Sequence, residues 1–234
     1  MSCANPLLAL STAEGAVAMI MAGAWELKRF SGKLLQGEWS NNNRDTVPGL
    51  AGQTIGIIGY GEISKNVIRM LSGFPATVKL ASRYCTSEQA ESLGGQVCSL
   101  EELLSSCRII SIHSTLTPSS RGMIGRAELE LIQDGAVLVN TARAEIIDEA
   151  ALLSELRTGR FSAVLDVYHQ EPLPAGHPLL QLENVLCLPH IAGFSVTRKQ
   201  RMGQFVAEDL QRFIRGEQPL GRITAAEYSR QSRH

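Results

Sequence analysis

The chain has 234 residues, of which 44% are hydrophobic and 19% charged, and its formal net charge is −1. This is the composition of an ordinary globular chain with room for one large α/β domain plus appendages. No basic field is available to draw in nucleic acid or an anionic lipid surface, so neither is expected as a partner. The five cysteines, Cys3, Cys85, Cys98, Cys107 and Cys187, are odd in number and include no C-x-x-C pair. That usage points to reduced thiols in a cytoplasmic setting and argues against a disulfide framework or a thiolate metal site.

Along the chain, the apolar stretch Pro6–Trp25 carries Glu14, has no basic residue ahead of it and is interrupted by Ser11, Thr12 and two glycines. A transmembrane or signal segment is therefore disfavoured, and no membrane partner is expected. Ser11-Thr-Ala-Glu14 has the form of a capping box and predicts a helix from there to about Gln36. Val17, Met19, Ile20, Met21, Trp25, Leu27, Phe30 and Leu34 spread around this helix, so it is expected to be buried on two sides. Residues 40–53 are polar and turn-rich and read as a loop. From Gln53 onward, short β-branched runs alternate with helical stretches. Strands are predicted at Thr54–Ile58, Thr77–Ala81, Arg108–Ile112, Ala136–Asn140, Phe161–Val167 and Asn184–Leu188. Helices are predicted near 62–72, 86–93, 99–106, 126–132 and 148–158, with end signals at Ser99, Asp148, Gly73 and Gly159. A last helix is predicted from about Val196 to Arg215, ending at Gly216. Strands this apolar, separated by helices, predict an α/β fold with a Rossmann-type, doubly wound parallel sheet.

The segment Thr54-Ile-Gly-Ile-Ile-Gly59-Tyr-Gly61-Glu62-Ile63-Ser64 falls where a strand turns into a helix. Gly59 suits the tight turn, Gly61 lets backbone approach a pyrophosphate, and the helix N-terminus offers N–H groups and a positive dipole. A lone G-x-G is weak, but the strand–turn–helix context raises it to a dinucleotide-binding signal. Ser64 stands in place of the third glycine, a small change at a packing position. The ribose-reading acid belongs at the end of the next strand, about 20 residues on. Here that end reads Leu80-Ala-Ser82-Arg83, with no carboxylate. Arg83 can pair with a 2′-phosphate, so NADP is favoured over NAD, although a lone loop arginine is as often simply solvated.

Four further segments begin as strands end: Ile112-His113-Ser114-Thr-Leu-Thr-Pro118, Val139-Asn-Thr141-Ala142-Arg143-Ala-Glu-Ile-Ile-Asp148, Leu165-Asp166-Val-Tyr-His-Gln-Glu171-Pro-Leu-Pro174 and Leu188-Pro-His190-Ile-Ala-Gly193. Strand ends are where an open α/β sheet binds its ligands. Together with the glycine turn and in this order, the chain resembles the D-isomer-specific 2-hydroxyacid dehydrogenases from about residue 12 to 216. That family includes phosphoglycerate, glyoxylate/hydroxypyruvate and D-lactate dehydrogenases. The resemblance implies that Arg143 grips the substrate carboxylate and polarises its carbonyl. It implies that His190 exchanges a proton with the C2 oxygen and that Glu171 bonds to His190 and favours its protonated form. Asp166 matches the residue near the nicotinamide amide. Glu62, Ile63, Ser114, Thr141, Ala142 and the His190–Gly193 loop match positions that line the cofactor.

The residue types make chemical sense on their own. Hydride arriving at a ketone carbon leaves an alkoxide that needs a proton near neutral pH, where histidine titrates. A planar guanidinium holds a carboxylate by two parallel bonds, which lysine cannot. Singly, Arg143 reads as a surface arginine, Glu171 as a loop acid and His190 as a satisfied loop histidine; their joint order reverses those readings. His169, Glu171, His177 and His190 lack i, i+4 spacing and a cysteine companion, so no metal is expected. Departures from the family pattern mark a divergent member: Ala144 for glycine, Thr115 for proline, Arg108 for an acid, and Gly15 for histidine.

The organisation expected from the resemblance is an interdomain and dimerisation helix with linker over 1–45, an NAD(P)-binding domain over 46–195, and a C-terminal helix and tail over 196–234. Complete family members carry a substrate lobe ahead of the segment that begins near Ser11, so most of that lobe is expected to be missing here and turnover to be impaired. A homodimer and a small 2-oxo or 2-hydroxy acid substrate are the implied partners. A non-catalytic dinucleotide-binding module is the alternative, since transcriptional corepressors share the fold, and an inert fragment is a third.

Overall fold

Isoleucine, valine and leucine crowd the strand segments because a parallel sheet is covered on both faces. A computed structural model describes residues 5–39, 47–193 and 195–225. Among these residues β1 (Thr54–Ile58), β2 (Thr77–Ala81), β3 (Gly95–Val97), β4 (Ile109–Ile112), β5 (Val137–Asn140), β6 (Ser162–Leu165) and β7 (Val185–Cys187) pair in one parallel sheet. Their order is β3-β2-β1-β4-β5-β6-β7. The order reverses between β1 and β4, and the crevice outside those two strand ends is where such sheets take ligands.

Period-two alternation sorts the strand residues into two cores. Ile110, Ile112, Leu138 and Leu165 point to one side, with Leu103, Leu104, Leu129, Leu152 and Phe161. Ile55, Ile57, Ile109, Val137, Val139 and Val164 point to the other, against Ala16, Ile20, Val67, Ile68 and Leu71. Each such side chain contributes about 1.5–3 kcal/mol of transfer free energy on burial. The first core lies under α5 (Leu100–Ser106), α6 (Arg126–Glu130) and α7 (Glu149–Arg157). The second lies under α1 (Asn5–Ala24) and α3 (Glu62–Leu71). The remaining helices are α2 (Leu27–Leu35), α4 (Ser87–Glu91) and α8 (Val196–Ile214).

The strand predictions hold, with trims of one or two residues at the ends of the later ones. β3 escaped prediction because it has three residues, of which Gln96 and Val97 face solvent. The caps at Ser99 and Asp148 accept N–H bonds from Glu102 at 3.0 Å and Ala151 at 2.7 Å. Gly159 and Gly216 turn left-handed, with φ of 74° and 76°, to end α7 and α8.

The first helix differs from expectation in three ways. It begins at Asn5, so Ser11 lies inside it rather than capping it, and the Ser11 hydroxyl instead donates to Ser195 Oγ at 3.0 Å. It stops at Ala24, because Glu26 turns left-handed (φ 47°) and starts α2 in a new direction. Its buried apolar residues are Ala9, Ala13, Ala16, Met19, Ile20 and Ala24, whereas Trp25, Leu27 and Leu34 of the expected set are at least half exposed. The alanines let it lie close on the sheet: a Cβ on Gly23 would sit 2.5 Å from Val137 Cγ1. The window Leu7–Ala24 is long and apolar enough to cross a bilayer by length and composition, and 44% of it is buried against the rest of the fold. Cys3, residues 40–46 of the predicted loop and the tail beyond Ala225 lie outside the described residues.

Candidate active site at the strand ends

Two clusters form along the C-terminal edge of the sheet. The first surrounds the glycine turn. Gly59 adopts φ +106°, and its N–H donates to Ala81 O at 2.9 Å, tying the turn to the end of β2. A Cβ there would stand 2.7 Å from Ser114 N and 2.8 Å from His113 C, so only glycine fits between the two loops. Gly61 is different: no atom lies within 4 Å of where its Cβ would be, and the bare backbone faces an open cleft. Ser64 is fully buried and its hydroxyl accepts from Gly61 N–H at 3.4 Å, so the residue replacing the third glycine helps to shape the turn. The first N–H groups of α3, which a helix leaves without internal partners, follow directly.

The cleft has a volume of about 890 Å³ and is lined by Gly59, Gly61, Glu62, Ser82, Arg83 and Ser114, all predicted site residues, and also by Lys65 and His113. Glu62 pairs with Lys65 at 2.8 Å. Ser82 Oγ accepts from Tyr84 N–H at 3.2 Å, and Arg83 Nη2 donates to Ser119 Oγ at 2.8 Å. Ile63, half-buried on the first turn of α3, does not line the cleft.

His113, at the floor, was quoted in a motif but given no role. It is buried, its Nε2 lies 2.9 Å from Ser111 Oγ, and burial pushes its pKa down to about 4. A histidine that stays neutral when folded but protonates when unfolded gives stability that is present above about pH 6.5 and lost as the pH falls toward 4. The loss is on the order of 3 kcal/mol over that window. His113→Gln, whose amide extends to the level of the Nε2 that meets Ser111, should remove this part of the acid sensitivity. Urea midpoints of both proteins near neutrality and near pH 4.5 check it; parallel losses in the two would count against it.

The second cluster sits at the ends of β5, β6 and β7. Asn140, the last residue of β5 and almost fully buried, donates through Nδ2 to Arg143 O and accepts from Ala142 N–H, both at 3.0 Å. This amide bends the 141–143 loop and presents Arg143, whose Nη1 donates to Ala142 O at 2.7 Å. His190 Nδ1 and Glu171 Oε2 are 2.7 Å apart. Glu171 Oε1 also accepts from Tyr168 N–H at 3.0 Å. Burial pushes the Glu171 carboxyl upward, but the bonds from His190 and Tyr168 and the charges of His190 and Arg143 outweigh it, leaving the pKa below the usual carboxylate range. Arg143, Glu171 and His190 therefore share one electrostatic environment.

The loop carrying His190 is pinned from both sides. His190 has φ +55°, a conformation that a non-glycine residue rarely holds and that costs about 1–3 kcal/mol. Fully buried Asp166 compensates by accepting from Ile191 N–H and Ala192 N–H, both at 2.8 Å. Burial pushes the Asp166 carboxyl up, and these two bonds pull it partly back. On the far side, Gly15 of α1 packs against the same loop: a Cβ on residue 15 would lie 2.7 Å from Ala192 Cα. The departure at Gly15 thus has a steric reason, since this backbone approach leaves no room for a histidine. Gly193 continues the contact, with Arg198 donating to its carbonyl and the Ser11 hydroxyl 3.4 Å from it.

Other departures have local partners. Arg108 Nη1 donates to Asp134 O at 2.8 Å, and Ala144 starts a buried 3-10 turn over Ala144–Ile146. Among the described residues, Thr141 Oγ1 is the buried side-chain polar atom without a hydrogen-bond partner. A hydroxyl orphaned beside Arg143, together with the bare backbone at Gly61, fits a bound dinucleotide that supplies the missing partner and occupies the open face.

Sequence reading missed Asn140 and Tyr168 as positioning groups. A polar residue ending an apolar strand was the available signal for Asn140. The Tyr168 hydroxyl lies 2.8 Å from both Leu165 O and Leu188 O, partners that only the folded chain brings together.

Comparison with known proteins agrees with this architecture. The family model for the D-isomer specific 2-hydroxyacid dehydrogenase NAD binding domain matches residues 17–192, and the chain belongs to this family. The D-3-phosphoglycerate dehydrogenase of Archaeoglobus fulgidus is 33% identical over 208 residues, covering 88% of this chain and 39% of that protein. The glyoxylate reductase of Aeropyrum pernix is 36% identical over 220 residues, covering 91% of this chain and 66% of that protein. A crystal structure of D-lactate dehydrogenase with NAD+ from Lactobacillus jensenii superposes with a TM-score of 0.80 at 26% identity, covering 92% of this chain and 68% of that one. The chain thus spans about two fifths of the first relative's length and about two thirds of the other two.

Proposed function

We propose that this chain is the dinucleotide-binding and proton-transferring part of an oxidoreductase that interconverts a small 2-oxo acid and its 2-hydroxy acid. The observation that carries the reading is the 2.7 Å His190–Glu171 contact beside Arg143, at the same sheet edge as the glycine turn. The nicotinamide, when bound, supplies or accepts the hydride. Arg143 binds the substrate carboxylate through its fork of N–H donors and sets the carbonyl carbon in place. The Nε2 edge of His190 gives a proton to the C2 oxygen in reduction and takes it back in oxidation, while Nδ1 stays on Glu171. Asp166 and Gly15 hold the loop so that the imidazole does not turn away. Gly61 and Glu62 at the head of α3 would hold the phosphates, with the Ile63 backbone N–H among the free donors of that first turn, and Thr141, Ala142, Ser114 and the 190–193 loop would hold the nicotinamide half. Asp166, whose carboxylate is fully buried, would serve the nicotinamide end through the Ile191 and Ala192 N–H groups that it holds in place.

NADP is preferred to NAD in this reading, on the guanidinium of Arg83 and the absence of a carboxylate at the end of β2. Paired calorimetric titrations test it together with turnover on glyoxylate and hydroxypyruvate. Wild type should bind NADPH more tightly than NADH, and Arg83→Ala should weaken NADPH about tenfold or more while changing NADH little. Equal losses for both cofactors would remove the NADP preference. No binding of either would remove the reading itself. The homodimer implied by the resemblance is proposed alongside, with Trp25, Leu27 and Leu34 around α2 at least half exposed.

A further inference from the structure

α8 ends in a reversal that brings the chain back toward the cofactor cleft. At Gly216 the helix stops, with Gly216 N–H donating to Phe213 O at 3.0 Å and Glu217 N–H to Arg212 O at 2.9 Å. Arg212 then reaches Gln218 O at 3.1 Å, and Arg215 pairs with Glu217 at 3.3 Å. The firmest tie is Asp209, only 2% exposed, whose two carboxylate oxygens accept from Leu220 N–H at 2.6 Å and Gly221 N–H at 2.8 Å. A carboxylate so placed on an otherwise exposed helix has this tail turn as its partner. The turn delivers Arg222 and Ile223 to the wall of the cleft that holds Gly59, Gly61 and Arg83.

The charges of that cleft are unbalanced in one direction. Glu62 is its acid and is paired with Lys65. Arg83 meets the neutral hydroxyl of Ser119, and the guanidinium of Arg222 has no ion-pair partner among the described residues. Two guanidiniums without an ion-pair partner among the described residues thus share one cleft with the open backbone of Gly61.

We propose that the 217–223 turn is a strap whose Arg222 contacts a phosphate of the bound dinucleotide, with Asp209 as its positioning residue. The inference rests on the dinucleotide reading above and adds a binding residue from outside the sheet. The ligand chemistry is a phosphate ester of an adenosine dinucleotide, either the bridging pyrophosphate or a 2′-phosphate.

Titration of wild type, Arg222→Ala, Arg222→Lys and Asp209→Asn with NADH and NADPH tests it, with hydrogen exchange of residues 217–223 followed with and without cofactor. Arg222→Ala should weaken binding about fivefold to tenfold and flatten its salt dependence, and Arg222→Lys should recover part of both. Equal weakening of the two cofactors assigns the contact to the pyrophosphate, and selective weakening of NADPH assigns it to the 2′-phosphate; either supports the strap. Asp209→Asn should reproduce the loss and abolish the cofactor-induced slowing of exchange in the turn. Wild-type binding that Arg222→Ala leaves unchanged overturns the strap alone. A wild type that binds neither cofactor overturns the dinucleotide reading and this contact with it.

Discussion

On the proposed proton-transfer role, His190→Asn should lower any turnover of glyoxylate or hydroxypyruvate by about two to four orders of magnitude, with dinucleotide affinity changed by less than about threefold. Asparagine is chosen because it tolerates the left-handed backbone at position 190, so the loop keeps its shape while the imidazole is lost. Glu171→Gln should fall between the variant and wild type, because the imidazole remains but its anionic partner does not. A second readout separates structure from chemistry. Glu171 has its pKa held below the usual carboxylate range in the fold, so its stabilising contribution is present above that range and fades as the pH drops through the lowered value. The gap in melting temperature between wild type and Glu171→Gln should therefore close on acidification. Turnover of His190→Asn within threefold of wild type would defeat the assignment of the proton donor.

The two glycines of the turn should separate folding from binding. Gly59→Ala places a Cβ 2.7 Å from Ser114 N at φ +106°, so strain and backbone displacement act together. A loss of about 2–4 kcal/mol in stability and at least a hundredfold loss in cofactor affinity are expected. Gly61→Ala meets no protein atom within 4 Å and has φ −132°, which any residue accepts. Its stability should stay within about 0.5 kcal/mol of wild type, while affinity falls about tenfold or more because the methyl group occupies the face the phosphates approach. Chemical denaturation paired with calorimetry checks both. A Gly61→Ala variant that binds like wild type would place the pyrophosphate elsewhere.

Much of this was legible in the residues because the signals were local. Alternation of apolar runs gives the strands, and Ser99 and Asp148 announce helix starts through bonds to residues three positions on. The glycine turn and the ordered strand-end segments give the positions of Arg143, Glu171 and His190. What stayed hidden depends on partners distant in sequence. Ser11 and Glu14 have the form of a cap, yet the alanines at positions 9, 13 and 16 find a flat sheet to lie on, and packing extends the helix upstream through the apparent start. The kink at Glu26 has only Gly23, three residues earlier, to mark it, and the left-handed residue is itself neither glycine nor asparagine. Asp209 reads as one more charge on a solvated helix until the chain folds back and gives it two N–H groups.

The seating of Ala192 against Gly15 has a practical corollary. The N-terminal helix and the imidazole loop behave as one mechanical part, although nearly the whole chain separates them in sequence. A chimera that imports this helix from a relative with a larger residue at position 15 would displace the His190 imidazole unless the 190–193 segment travelled with it.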